Sequence, residues 1–155
     1  MTVSATDLPA SGRFDGSTHL FPLRVYFEDT DLSGVVYHAN YLRYMERARS
    51  DMLRVAGIDQ RAHFEAGGGA YAIADLAIRY HAPARLDDVL LVASGVRGVT
   101  AARVVIHQSV RRGAVLLTAA RVTAALVAPD GRPRRQPGAW IDRYRALVTE
   151  GEETP

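Results

Sequence analysis

Asp31 and His38 are seven residues apart, one in an acidic loop and the other just ahead of a helical pattern. A helix start presents backbone N–H groups without intrahelical partners and about half a positive charge. That field favours an ionised Asp31, which suits a base or a nucleophile better than an acid. The same N–H groups are suited to hold the oxyanion formed when a carbonyl is attacked. A carboxylate beside such a donor is the arrangement of acyl transfer or ester hydrolysis. The plainer readings are an Asx-turn for Asp31 and, for His38, a helix-start residue bonded to backbone.

Three elements must hold these two residues. Arg24 to Phe27 alternates and is rich in β-branched and aromatic residues, as a half-buried strand would be, and Leu20 to Phe27 reads as the whole first strand. Glu28-Asp29-Thr30-Asp31-Leu32-Ser33-Gly34 has a loop composition. From Asn40 the apolar residues Tyr41, Tyr44, Met45, Ala48, Met52, Val55 and Ala56 recur every three or four positions. Asn40 as N-cap and Gly57 as a left-handed stop predict one helix, roughly 25 Å long.

Absences narrow the chemistry. There is no cysteine, and all 19 basic residues are arginine. Thiol nucleophiles, disulfides and cysteine-held metals are therefore excluded, as are lysine bases and Schiff bases. No serine lies in a G-x-S-x-G elbow. Carboxylates remain among the obvious nucleophiles. The net charge of +2 is slight, and the arginines are scattered apart from Arg132, Arg134 and Arg135. Nucleic-acid binding calls for a stronger, clustered excess. The plain reading of these arginines is a solvated surface, and the useful one is local recognition of phosphates.

The run Glu28-Asp29-Thr30-Asp31, then Gly34-Val35-Val36-Tyr37-His38-Ala39-Asn40-Tyr41, then Glu46-Arg47-Ala48-Arg49 resembles the hotdog-fold acyl-CoA thioesterases. It is most similar to the branch associated with the Tol–Pal system, related to 4-hydroxybenzoyl-CoA thioesterase, over roughly Leu20 to Pro137. The resemblance implies that Asp31 is catalytic and that His38 lends its backbone N–H, and in this branch its imidazole, to the thioester. Tyr37 and Asn40 adjoin the site as candidate substrate-binding residues, and Tyr37 is a candidate lining residue of the acyl pocket. Leu32-Ser33 departs from the smaller or glycine residues common in relatives. The family implies active sites at a dimer interface, hence a homodimer or a dimer of dimers. It also implies an acyl-CoA substrate, with acyl carrier protein as an alternative thioester carrier. No metal and no cofactor is called for beyond the coenzyme A of the substrate, because a thioester is already activated.

At 155 residues the chain suits one domain with a sizeable core. Residues 1–18 are polar and small and read as a loose arm, 19–148 as the hotdog domain, and 149–155 as a frayed acidic tail. Residues 1–19 lack the apolar core of a secretory signal, and no window spans a membrane, so cytoplasm is the default compartment.

Ile58 to Gly69 connects to a strand from Ala70 to His81. Ala72, Ala74, Leu76, Ile78 and Tyr80 alternate along it as a buried face, leaving His81 on the wet one. Strands at Val89–Val99, Ala102–Arg111 and Ala114–Ala128 follow as a meander, and Trp140 to Val148 reads as a short closing helix. The total is an α+β domain with a five-stranded antiparallel sheet wrapped around one long central helix. Pairing edges between subunits would cover the sheet's open strands.

Two other functions fit parts of the pattern. Asp29-x-Asp31-x-Ser33-Gly34 matches the first half of a calcium-binding EF-hand loop, but Asn40 stands where a bidentate glutamate is needed. A hotdog module that binds acyl groups or partner proteins without chemistry would keep the fold. The charged Asp31 favours catalysis.

Overall fold

A computed structural model describes residues 1–150, and the acidic end expected to fray lies largely outside them. Six strands are present: β1 (Arg13–Asp15), β2 (Thr18–Arg24), β3 (Ala70–Tyr80), β4 (Val89–Val99), β5 (Arg103–Arg112) and β6 (Val115–Val127). They form one antiparallel sheet in the order β1-β2-β4-β5-β6-β3. Helices α1 (Asn40–Val55), α2 (Gln60–Glu65) and α3 (Gly138–Leu147) complete the fold.

The sheet thus has six strands where five were expected. The additional one lies in the stretch read as an arm: β1 and β2 form a hairpin around Gly16-Ser17, with Asp15 opposite Thr18. Gly16 takes the positive φ (58°) that such a tight turn requires. The first strand also ends earlier than expected, at Arg24. Beyond it Phe27–Asp29 coils into a 3-10 turn, because the Asp29 carboxylate accepts the Tyr26 N–H at 2.8 Å and turns the chain back.

Helix α1 lies over β2, β4 and β5. Tyr41, Tyr44, Met45 and Ala48 are buried against Leu90, Val92, Val110, Leu117, Ala120 and Val122. Met52 and Leu53 lead a second cluster with Ile58, Val96, Val104, Ile106 and Tyr144, closed by Trp140 and Leu147 of α3. Gly57 ends the helix at φ 83°. Val55 was expected in the apolar stripe but is 43% exposed; Leu53 takes the buried place, in the cluster that also holds Tyr144 of α3.

A row of polar side chains separates the two clusters. His19, Ser94 and Gln108 are paired across β2, β4 and β5, and all three are buried. Gln108 donates to Ser94 Oγ (2.9 Å) and to the Met45 carbonyl (3.0 Å), and accepts from Arg49 (2.7 Å). His19 Nε2 lies 2.8 Å from the Asp51 carboxylate, which also accepts from Ser11 Oγ and the Gly12 N–H. Burial raises the Asp51 pKa, but these bonds outweigh it and hold the carboxyl below its usual range. Burial lowers that of His19. Among the described residues His19 Nδ1 has no hydrogen-bond partner, and it is the bonds of Gln108, Ser94 and Asp51 that favour one register of helix on sheet.

Strand β3 differs most from expectation. It sits at the sheet edge, and a bulge between Ile73 and Asp75 shifts its alternation. Ala72, Ala74, Leu76 and Tyr80 are exposed rather than buried, because α1 covers the opposite half of the sheet.

Candidate active site

The acidic loop is built around Asp29. Its carbonyl accepts the Tyr37 N–H at 2.9 Å and the Asn40 side-chain amide at 2.8 Å. Asn40 is therefore the first residue of α1 and a strap to the loop, and the N-cap position is Ala39, with no side-chain cap. Gly34, at φ 79°, closes the turn, with Gly34 N–H donating to the Asp31 carbonyl and Asp31 N–H to the Val35 carbonyl (both 3.0 Å). Val36 N–H to the Ala84 carbonyl (2.8 Å) anchors the far side of the loop.

Asp31 is exposed. Its Oδ1 accepts the Ser33 hydroxyl at 2.5 Å and the Ser33 N–H at 2.8 Å, the Asx-turn of the plainer reading. The Ser33 hydroxyl is the largest cause holding this carboxyl below its usual range; the Ser33 amide adds to it, and nearby His38 adds less. The ionised state expected from the helix field is thus supplied mainly by Ser33, one of the two residues that depart from the family pattern.

His38 lies in the turn before α1 and is exposed. At this junction the Tyr37 N–H is taken by Asp29 and the Asn40 N–H by the Tyr37 carbonyl. No hydrogen bond between the described residues engages the His38 N–H. The His38 ring is 4.4 Å from that of Tyr37 and edge-on to Tyr80 at 6.4 Å. It lines a cavity of about 310 Å³ with Val36, Tyr41, Tyr80, His81, Ala82 and Pro83. Asp31, Tyr37 and Asn40 do not line this cavity: Tyr37 is 46% exposed on the outer side, and Asn40 is turned to the loop.

Tyr80 and His81 both line the cavity, although the sequence placed Tyr80 on the buried face of the strand and His81 on its wet face. The Tyr80 hydroxyl donates to the His38 carbonyl at 2.9 Å. Only the pairing of β3 with β6, which carries the end of β3 to the helix start, reveals this. The half-match to a calcium loop does not converge on a centre. The Asp29 carboxylate turns to the Tyr26 amide, Asp31 to Ser33, and the Asn40 amide to a carbonyl.

An ionised carboxylate, an unused amide ahead of a helix and an apolar cavity near it, on a sheet wrapped over a helix, are features suited to acting on a carbonyl. The family model of the thioesterase-like superfamily matches residues 25–137, and the chain belongs to that superfamily. It is 43% identical over 107 residues to the acyl-CoA thioesterase YbgC of Haemophilus influenzae, covering 69% of this chain and 79% of that protein. It is 37% identical over 133 residues to the acyl-CoA thioester hydrolase YbgC of Escherichia coli O6:H1, covering 83% and 98%. Among solved structures, a probable thioesterase from Bartonella henselae superposes with a TM-score of 0.73 at 36% identity, covering 77% of this chain and 99% of that one. The protein is a thioester hydrolase of the hotdog type. No helix among the described residues is long and apolar enough to cross a membrane.

Proposed function

We propose that the protein hydrolyses acyl-CoA thioesters, with Asp31 and the His38 N–H as the reacting pair. The thioester carbonyl would sit between the two, its oxygen on the His38 N–H and its acyl chain in the adjoining apolar cavity. Asp31 either removes the proton from an attacking water or attacks the carbonyl itself to give a mixed anhydride that water then opens. In both routes the carbonyl oxygen gathers negative charge against the helix-start amide, and coenzyme A leaves as the thiolate. The two routes differ in where the water oxygen first bonds. The reaction draws on no metal, because the thiolate is already a good leaving group. An acyl-CoA substrate would suit a cytoplasmic location.

The observation that carries this reading is the free His38 N–H, held by the Asn40–Asp29 strap on the same rigid unit as an ionised Asp31. The names of the YbgC relatives support the substrate class. The exposed edge of β3, with Leu76 and Tyr80 uncovered, supports pairing with a second copy, and a dimer of dimers would keep the same contact. Arginine side chains are the groups suited to the coenzyme A phosphates.

The test is release of free thiol from short, long and aromatic acyl-CoA, run beside the same acyl groups on acyl carrier protein. Turnover of at least one acyl-CoA is the expected result. Saturable binding of every chain with no thiol released would make the protein an acyl-binding module instead.

A further inference from the structure

We infer that Tyr80 is a positioning residue of this reaction, its hydroxyl fixing from the sheet the carbonyl of the residue whose N–H receives the oxyanion. The inference rests on the role proposed above for His38. At the helix start the Tyr37 carbonyl accepts the Asn40 N–H (2.9 Å), and the Ala39 carbonyl accepts the Leu42 N–H (3.2 Å). The His38 carbonyl between them is met by the Tyr80 hydroxyl at 2.9 Å. A side chain of the edge strand thus supplies the donor to this carbonyl. The His38 N–H shares its peptide plane with the Tyr37 carbonyl, which Asn40 holds, and Tyr80 holds the next plane through the His38 carbonyl, so with both units fixed the φ and ψ of His38 have little freedom.

The Tyr80 ring, though 45% exposed, is braced by two other rings. It stands edge-on to His38 at 6.4 Å and to Tyr41 at 5.7 Å. Tyr41 is buried, and its hydroxyl accepts the Ala84 N–H at 2.9 Å. The backbone beyond Tyr80 is pinned because the His81 and Ala82 N–H groups both donate to the Leu117 carbonyl (2.8 and 3.2 Å). Burial raises the Tyr80 pKa, so the hydroxyl keeps its proton and stays a donor through neutral pH. A donor held on a rigid strand and aimed at the turn before α1 is suited to pre-organising that turn.

Tyr80→Phe deletes the donor and keeps the ring. It is expected to lower kcat for acyl-CoA about five- to tenfold, the effect of one hydrogen bond. KM should stay within about twofold, and the loss should be equal at every pH. In the unliganded protein, the His38 backbone amide resonance should shift in Tyr80→Phe and stay in place in Tyr26→Phe. Wild-type kcat in Tyr80→Phe, in a protein whose Asp31→Asn variant is inactive, would overturn the inference. So would a rise in KM alone, which marks a substrate contact, or loss only of the alkaline limb of the pH profile, which marks a proton donor. A wild-type protein that turns over no acyl-CoA would instead sink the reading of the site, and the His38 resonance would still report on Tyr80.

Discussion

The Asn40 side-chain amide donates to the Asp29 carbonyl at 2.8 Å, so the first residue of the central helix and the middle of the acidic loop form one unit. Asp31 lies two residues beyond this strap and His38 two residues before it. Asn40→Ala should lower stability by about 1 kcal/mol, a typical net hydrogen bond. That corresponds to roughly 3 °C in Tm for a domain of this size. It should also lower kcat, because the loop is no longer held to the helix. Asn40→Asp should be worse, since a carboxylate would face a carbonyl. A direct substrate contact would instead raise KM and leave Tm unchanged.

The Ser33 hydroxyl is the main support of the Asp31 carboxylate as an anion. Ser33→Ala should therefore raise the Asp31 pKa. The acid limb of the kcat/KM profile should move to higher pH, because a larger share of the enzyme is protonated and inactive at each acidic pH. An unmoved limb would mean that another group sets it.

The buried His19–Asp51 pair should make the fold acid-sensitive. The His19 pKa is lowered from 6.5 in the fold, so below that pH the unfolded chain binds the extra proton first and stability drops. The Asp51 pKa is lowered from 3.8, so its contribution is present above that pH and is lost further into acid. Tm should thus fall from pH 7.5 to pH 5 and more steeply below pH 4. His19→Gln should be less stable at neutral pH yet show a flatter slope from pH 7 to 5. Parallel slopes would remove His19 from the account.

Leu76 is exposed on the edge strand β3. If a second copy covers this edge, Leu76→Arg should shift the mass seen by light scattering from dimer to monomer and reduce activity with it. A wild-type protein that is monomeric at micromolar concentration would contradict the pairing.

The loop and the helix were legible in the sequence because each is a local pattern. The spacing of Tyr41, Tyr44, Met45, Ala48 and Met52 needs only the helical period, and Gly57 needs only its positive φ. The β1–β2 turn was also written locally, in Asp15-Gly16, but a three-residue strand offers too little alternation to register. What could not be read depends on register between distant strands. His19, Ser94 and Gln108 form a polar row only once β2, β4 and β5 are aligned. Tyr80 reaches His38 only because β3 crosses to the edge beside β6. Asn40 looked like a cap because its side-chain oxygen could accept a helix-start N–H, but it is the NH2 of the same side chain that is used, as a donor. Its target was a loop carbonyl eleven residues back.

The most direct measurement pairs turnover with binding in Asp31→Asn. Loss of the anion should cut kcat by about 10²- to 10⁴-fold, the range for a positioned acid or base. Calorimetry with a non-hydrolysable acyl-CoA thioether should show affinity within a few-fold of wild type. A variant that still turns over acyl-CoA at near the wild-type rate would contradict the central role given to Asp31.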